Sequence, residues 1–225
     1  MPQAKQFIAF FGIIVAVFLA ALLTLVIKTS YESVPERTQS TQQKDQILSV
    51  SQLALIDNGL AFSLGHEDAK VVVVEFLDYQ CEFCKHVSPT LQRLTEDYKD
   101  TSVRFVIRHF PLQDTHPFAY KASHAALCAR EQNAFLPMHN LLFQHNQRLN
   151  DLVFAQLASQ LHIDVDVFAS CMADEKYQSL IRKDVSDAVD IGITGVPTFF
   201  INKQRLTGAF SLQDFKQAID HELRR

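Results

Sequence analysis

Two cysteines separated by two residues, in the segment QCEFC, are the part of this sequence best suited to chemistry. Residues with helical spacing follow Cys81 and Cys84, so both are expected on one side of the first turn of a helix. Such a pair can interconvert between a dithiol and a disulfide. The unpaired N–H groups and the dipole of a helix start can lower a cysteine pKa from about 8.5 to roughly 3.5–7.5. A thiolate stabilised in this way makes the pair oxidising.

The alternative for such a cysteine pair is half of a zinc site. That site would need a second, closely spaced pair of cysteines or histidines. Cys128 and Cys171 are far apart in the sequence, and His139 and His145 are separated by six positions. The redox interpretation is therefore favoured over metal binding.

A glutamate lies just before the cysteines, in a segment that otherwise predicts a buried strand. Glu75 follows four consecutive valines, Val71 to Val74, and strands of this kind are usually covered on both faces. An ionised carboxylate is costly in that place unless it has a task or a partner. The alternative is a solvated charge at the edge of a sheet.

The elements around the cysteines predict a strand, a helix and a second strand in one right-handed parallel unit. Helical periodicity fills most of the next ninety residues, with Asn150 or Asp151 and Asp164 as plausible N-caps and Gly192 as a C-cap. Two short strands and a final helix entered through a serine close the chain. The predicted ranges are strands 70–78, 103–110, 198–202 and 205–208, helices 82–99 and 211–222, and a helical insertion at about 115–190.

The first fifty residues differ from the rest. After a short tail, 1–6, residues 7–27 contain no charge, and as a helix they would span roughly 31 Å, the thickness of a bilayer core. We expect an uncleaved transmembrane signal anchor there, followed by a polar tether at 28–49 and a globular domain at 50–223. The net charge of −4 argues against a nucleic-acid partner.

Two motifs, FLDYQCEFCK and, far downstream, GVPTFFIN, carry a specific resemblance. Together they resemble the DsbA-like branch of the thioredoxin superfamily, which comprises extracytoplasmic thiol–disulfide oxidoreductases. The resemblance covers roughly residues 50–223. It implies an α/β fold: a thioredoxin fold with an inserted all-helical subdomain, preceded here by the predicted transmembrane helix.

The resemblance also implies roles for individual residues. Cys81 is the expected nucleophile that carries the mixed disulfide, and Cys84 is the resolving thiol. Pro197 is expected to follow a cis peptide bond beside them. Because proline lacks an N–H group, the backbone of Val196 is left free to pair with an extended substrate. Glu75 matches the position of a buried acid that relays a proton to or from the resolving cysteine.

The two residues between the cysteines depart from the family pattern of proline and histidine. Glu82 is expected to repel the thiolate of Cys81, and the missing histidine removes a positive partner. Both changes predict a milder oxidant. Phe83 is expected to face outward as a substrate contact.

Cys128 and Cys171 form the second cysteine pair of the chain. Outside the cytoplasm, an even leftover pair in one subdomain often bridges, and some DsbA-like relatives carry such a structural disulfide. Closing this 43-residue separation would contribute roughly 4 kcal/mol to stability. Free buried thiols or a second redox centre are the alternatives.

The function predicted from these features is the formation or exchange of disulfide bonds in exported proteins by a protein-disulfide oxidase on the extracytoplasmic side of the cell membrane. The expected partners are unfolded or reduced exported proteins and a quinone-linked membrane reoxidase. The protein is expected to be a monomer and to need no organic cofactor or metal. The alternatives are a disulfide reductase or isomerase, and a non-catalytic tethered chaperone or metal-binding module of thioredoxin-like fold.

Overall fold

A mixed sheet of five strands organises the described part of the chain, which in this computed structural model comprises residue 52, residues 55–57 and residues 59–225. The strands lie in the order β1-β3-β2-β4-β5. The two central strands, β2 and β3, are parallel, and the other pairs are antiparallel. The strand bounds are β1 Phe62–Leu64, β2 Val71–Leu77, β3 Val103–His109, β4 Thr198–Ile201 and β5 Gln204–Thr207.

Helices cover both faces of this sheet and also form a separate layer of their own. Their bounds are α1 Glu82–Asp97, α2 Ala119–Arg130, α3 Phe135–Gln144, α4 Asp151–Gln160, α5 Val165–Ala173, α6 Gln178–Asp190 and α7 Leu212–Arg224, with a short 3-10 helix at Asn146–Arg148. Helices α2 to α6 occupy the predicted insertion. The result is an α/β thioredoxin-like fold with a helical insertion, as the sequence predicted.

The alternation of side chains along β2 explains how the sheet is buried. Val71 and Val73 face a core that contains residues of α1 and α7, whereas Val74 and Phe76 face a core that contains residues at the end of α6. A strand covered on both faces needs apolar residues at successive positions, which is why four valines stand in a row.

Local signals set several of the helix ends. The side chain of Asn150 accepts a hydrogen bond at the start of α4, and that of Asp164 accepts two at the start of α5. Ser211 and Asp214 form a capping box on α7. Gly192 follows α6 with a φ of 73°, the left-handed conformation that a helix end favours in glycine. The predicted caps are therefore confirmed, whereas the three-residue strand β1 was not predicted.

A buried ionic network joins β3 to α6. The guanidinium of Arg108 donates to Asp184 at 2.5 Å and to Asp187 at 2.7 Å, and all three side chains are buried. Asp184 also accepts a hydrogen bond from the backbone N–H of His109. The network ties the last helix of the insertion to the sheet.

The predicted anchor at 7–27 and tether at 28–49 lie outside the described residues, so both remain predictions. Within the part of the chain that the structure describes, no helix combines the length and the apolar character needed to cross a membrane.

We predict that Asp184→Ala lowers the free energy of unfolding by about 3–5 kcal/mol, because it leaves the buried guanidinium of Arg108 short of a counter-charge. Urea denaturation measures this loss. The matched control is Lys121→Ala, which removes an ion pair to Asp151 whose partners are both exposed. That control should cost at most about 1 kcal/mol. Equal losses in the two variants would contradict the assigned role of the network.

Candidate active site

The start of α1 holds both sulfurs of the predicted pair. Cys81 is the N-cap residue, with extended backbone and no side-chain capping bond, and Cys84 lies in the first turn. Both cysteines are free thiols. Cys84 is fully buried, whereas Cys81 retains 6% of its exposure, so only the first sulfur reaches solvent.

The two thiols have opposite electrostatic environments. The pKa of Cys81 is lowered to about 6, mainly because the side chain of Cys84 donates a hydrogen bond to it. Burial opposes this shift, and the backbone N–H groups of Phe83 and Cys84 support it. The pKa of Cys84 is raised well above its ordinary value, first by burial and then by its bond to Cys81. The site can therefore hold a thiolate at Cys81 and a neutral thiol at Cys84.

The loop before β4 faces the sulfur of Cys81. The peptide bond between Val196 and Pro197 is cis, and the Sγ atom of Cys81 lies 3.6 Å from the carbonyl oxygen of Val196. The structure thus brings together the cysteine pair and the predicted prolyl loop, which are more than a hundred residues apart in the chain.

Glu75 is buried on β2, as predicted, with 4% of its surface exposed. Burial raises its pKa to about 8, and its Oε1 atom has no hydrogen-bond partner. The carboxyl is close enough to Cys84 for its charge to raise the pKa of that thiol. At neutral pH Glu75 therefore carries a proton near the resolving sulfur.

Glu75 also lines a small cavity that is bounded by α1, α3 and the sheet. The cavity has a volume of about 90 Å³ and is lined by, among others, Ser88, Gln92, His139 and Asn140. Gln92 is exposed at the surface, so the polar side chains that line the cavity extend from the carboxyl of Glu75 toward solvent.

A buried aromatic pair beside this acid was missed by the sequence analysis. The hydroxyl of Tyr79 is 3.0 Å from Nδ1 of His139, and both side chains are buried. Burial lowers the pKa of His139 to about 4, so its ring is neutral. The two residues are 60 positions apart, and the sequence analysis gave no signal for the burial of His139.

Asp78 anchors the turn that leads into Cys81 and was also not predicted. Its carboxylate accepts hydrogen bonds from the backbone N–H groups of Gln80 and Leu112, at 2.7 and 2.8 Å, and lies 2.8 Å from Nδ1 of His116. Since Asp78 is fully buried, this bonding ties the segment after β3 to the start of α1.

Of the two residues between the cysteines, Glu82 is not arranged as expected from the sequence, whereas Phe83 is. The side chain of Glu82 is turned toward the 3-10 helix, where it accepts hydrogen bonds from Asn146 and Gln147. The carboxylate whose charge raises the pKa of Cys81 is Asp78. The repulsion of the Cys81 thiolate that was predicted for Glu82 therefore comes from Asp78, which precedes the cysteine pair. Phe83 is 68% exposed, which agrees with its predicted outward orientation.

A disulfide joins Cys128 on α2 to Cys171 on α5, with an S–S distance of 2.00 Å. Both residues are buried. The bridge predicted for this pair is thus present, and the alternative of two free thiols is not found.

Comparisons with known proteins show the family to which this chain belongs. The family model described as Thioredoxin matches residues 57–221. The chain is also similar to two curated proteins, Na(+)/H(+) antiporter NhaA 3 of Salinispora tropica (35% identity over 210 residues) and NhaA 1 of Salinispora arenicola (33% over 214 residues). These matches cover 92% of this chain and 32% of each relative, so the chain spans about a third of their length.

Solved structures show the same fold. A thioredoxin-like oxidoreductase from Silicibacter pomeroyi is 25% identical with a TM-score of 0.68, and the match covers 76% of this chain and 98% of that chain. The catalytic domain of Proteus mirabilis ScsC is 25% identical with a TM-score of 0.67, covering 78% and 96%. The thiol-disulfide exchange protein alpha-DsbA2 from Wolbachia pipientis has 23% identity and a TM-score of 0.69, covering 76% and 94%.

We predict that alkylation of the reduced protein reports a thiol pKa of about 6 for Cys81. The reaction rate with iodoacetamide should rise through that pH, because the thiolate is the reacting form. Cys84→Ala removes the main hydrogen-bond donor and should move the inflection to higher pH. An inflection at the ordinary value of about 8.5 in the unsubstituted protein would contradict the assigned electrostatics.

We predict that Glu75→Gln stabilises the protein, and more so at pH 8 than at pH 5. The folded pKa of about 8 lies above the unfolded value of 4.5, so the folded state binds the extra proton and loses stability as the pH rises through this window. The amide cannot ionise and escapes that loss. Urea denaturation should show a gain of more than about 1 kcal/mol at pH 8. An equal effect of the substitution at pH 5 and pH 8 would argue against a raised pKa.

Proposed function

Because the chain belongs to the thioredoxin family, we propose that it is a thiol–disulfide oxidoreductase that forms disulfide bonds in exported proteins through Cys81 and Cys84. The observation that carries this proposal is the asymmetry of the pair. One sulfur is accessible and has a low pKa, whereas the other is buried and has a high pKa. This asymmetry makes Cys81 the sulfur that exchanges with a substrate and the better leaving group.

The proposed reaction begins with the pair in its disulfide form. A substrate thiolate attacks the Sγ atom of Cys81, which forms a mixed disulfide and breaks the bond to Cys84. The electron pair of the broken bond stays on Cys84, which then takes up a proton because its pKa is high. We assign Glu75 as the nearby carboxyl that gives this proton, since it is neutral and buried at pH 7.

The second half of the reaction releases the product. A second thiolate of the substrate attacks the substrate sulfur of the mixed disulfide and forms the new substrate disulfide. Cys81 leaves as a thiolate, and its low pKa makes it a good leaving group. The protein has then gained two electrons, and we propose that a quinone-linked membrane protein removes them and restores the disulfide.

The substrate is proposed to bind as an extended chain against the prolyl loop. The carbonyl of Val196 lies beside the reacting sulfur, and backbone pairing at this residue would hold a peptide across Cys81. Phe83 is exposed one position before Cys84 and offers an apolar contact for the bound chain.

The cellular setting of this activity is also proposed. The apolar segment 7–27 would anchor the chain, and the domain would act on the extracytoplasmic side as a monomer. The Cys128–Cys171 bridge supports this placement, because disulfides persist in oxidising compartments.

The test is to trap substrates on a Cys84→Ala variant. In this variant the thiolate of Cys81 attacks a disulfide of an exported protein, and one sulfur of that disulfide leaves as a thiolate. No second thiol at the site can resolve the mixed disulfide, so exported proteins should remain covalently attached and separate only on reduction. Matched controls are Cys81→Ser, which should trap nothing, and Phe83→Ser, which should trap several-fold less at equal expression. Absence of reducible complexes on Cys84→Ala would favour the non-catalytic alternative. Trapping only of proteins with non-native disulfides would favour an isomerase.

A further inference from the structure

One face of α2 and the residue that follows this helix carry three groups that bind metal ions in proteins. His124 and Cys128 lie four residues apart on α2, and Glu131 is its C-cap residue, at the i+7 position on the same side. Cys171 on α5 faces them through its bond to Cys128. One ligand atom each from His124, Cys128 and Cys171 lies within 4.8 Å of the others, and all three residues are buried.

A carboxylate completes the group. The Oε1 atom of Glu131 lies 3.6 Å from the Sγ atom of Cys171. The same oxygen pairs with Nζ of Lys176 at 2.8 Å and accepts a hydrogen bond from the hydroxyl of Tyr177 at 2.9 Å. Outer partners of this kind hold the ligands of metal sites in position.

Tyr177 connects this carboxylate to the histidine. Its backbone N–H donates to Nε2 of His124 at 3.4 Å, while its hydroxyl binds Glu131. The ring of Tyr177 also packs against that of His124 in an edge-to-face arrangement. The segment between α5 and α6 thus contacts both non-sulfur groups. The hydrogen bond to Nε2 of His124 must open before the lone pair of that nitrogen can bind a cation.

We propose that His124, Cys128, Glu131 and Cys171 form a binding site for a thiophilic divalent cation of the Zn²⁺ class when the Cys128–Cys171 disulfide is reduced. Two thiolates, one imidazole and one carboxylate are ligand types that zinc accepts, and four is its usual number in closed sites. In the disulfide form the sulfurs are bonded to each other and offer no thiolate, so the bridge closes the site.

The redox step balances with a dithiol as reductant. The dithiol gives two electrons and two protons, becomes a disulfide, and leaves Cys128 and Cys171 as two thiols. Binding of the cation then releases the two thiol protons to solvent. A disulfide compound reverses the step: it takes up two electrons and two protons, becomes a dithiol, and leaves the Cys128–Cys171 disulfide and the free cation.

The dimensions of the group suit such a cation. Zinc bonds of about 2.3 Å to sulfur and about 2.0–2.1 Å to nitrogen place neighbouring ligand atoms roughly 3.5–3.8 Å apart. Reduction lets the two sulfurs separate toward that distance. The ligand nitrogen of His124 is within 4.8 Å of both sulfurs before any side chain rotates. The Oε1 atom of Glu131 is 3.6 Å from the sulfur of Cys171. The proposal does not use Cys81 or Cys84, so it stands apart from the proposed function.

The experiment titrates Co²⁺ into the full chain carrying Cys81→Ser and Cys84→Ser, after reduction with a phosphine. These substitutions remove the other thiols, so any thiolate signal belongs to the second pair. We expect one equivalent of Co²⁺ to bind with thiolate charge-transfer bands and tetrahedral visible bands, which one equivalent of Zn²⁺ then abolishes. The unreduced sample should give no bands. Absence of bands after reduction would overturn the proposal.

A matched pair of histidine variants tests the ligand set. His124→Ala should weaken Co²⁺ binding by at least about tenfold, since loss of even an outer partner costs about that much. His66→Ala, which changes an exposed histidine outside the group, should leave the affinity unchanged. Equal affinities in the two variants would overturn the assigned site.

Loss of the native bridge can unfold the chain, so helical content is followed in the same samples by far-ultraviolet circular dichroism. A cation that binds the folded form stabilises it by mass action. We therefore expect Zn²⁺ to raise the melting temperature of the reduced chain, or to restore its helical signal, and to leave the oxidised chain unchanged. A reduced chain that stays unfolded with Zn²⁺ present would overturn the proposal.

Discussion

The coupling between the thiols of Cys81 and Cys84 at the start of α1 is the interaction on which the chemistry of this protein depends. The proton stays on Cys84, because this residue is fully buried and the pKa of its thiol is raised. The negative charge is carried by Cys81, which keeps some exposure and has the lowered pKa. The donated proton stabilises the charge on Cys81 and lowers its pKa to about 6. If either burial or the bond were lost, the two thiols would become similar, and neither would be a preferred nucleophile or leaving group.

The rest of the fold maintains the difference in burial and pKa between Cys81 and Cys84. The apolar run of β2 places Glu75 inside the protein and brings the chain to its carboxyl end, where Asp78 fixes the turn into the helix. The helical insertion covers Cys84 and continues into a core with Tyr79. The buried ion pairs of Arg108 with Asp184 and Asp187 attach the helical insertion to the sheet, so the site and the insertion form one packed structure.

The sequence predicted those features whose causes are local. Caps such as Asn150 and Asp164 act on backbone groups two or three residues away. The run of four valines before Glu75 predicts that this strand is buried. Contacts between residues that are far apart in the sequence could not be predicted from local signals. The pairs Tyr79–His139 and Arg108–Asp184 are separated by 60 and 76 positions, and the orientation of Glu82 depends on a short helix in the insertion. A three-residue strand, β1, is too short to carry a periodic signal.

The most direct test of this account is the reduction potential of the Cys81–Cys84 pair, measured by equilibration with glutathione. Thioredoxin, with a thiol pKa near 7, lies at about −270 mV, and DsbA, with a pKa near 3.5, lies at about −120 mV. A pKa of about 6 predicts a value between these two, nearer to that of thioredoxin. A potential at or below about −270 mV would contradict the account, because the thiolate would then not be stabilised enough to favour transfer of the disulfide to a substrate.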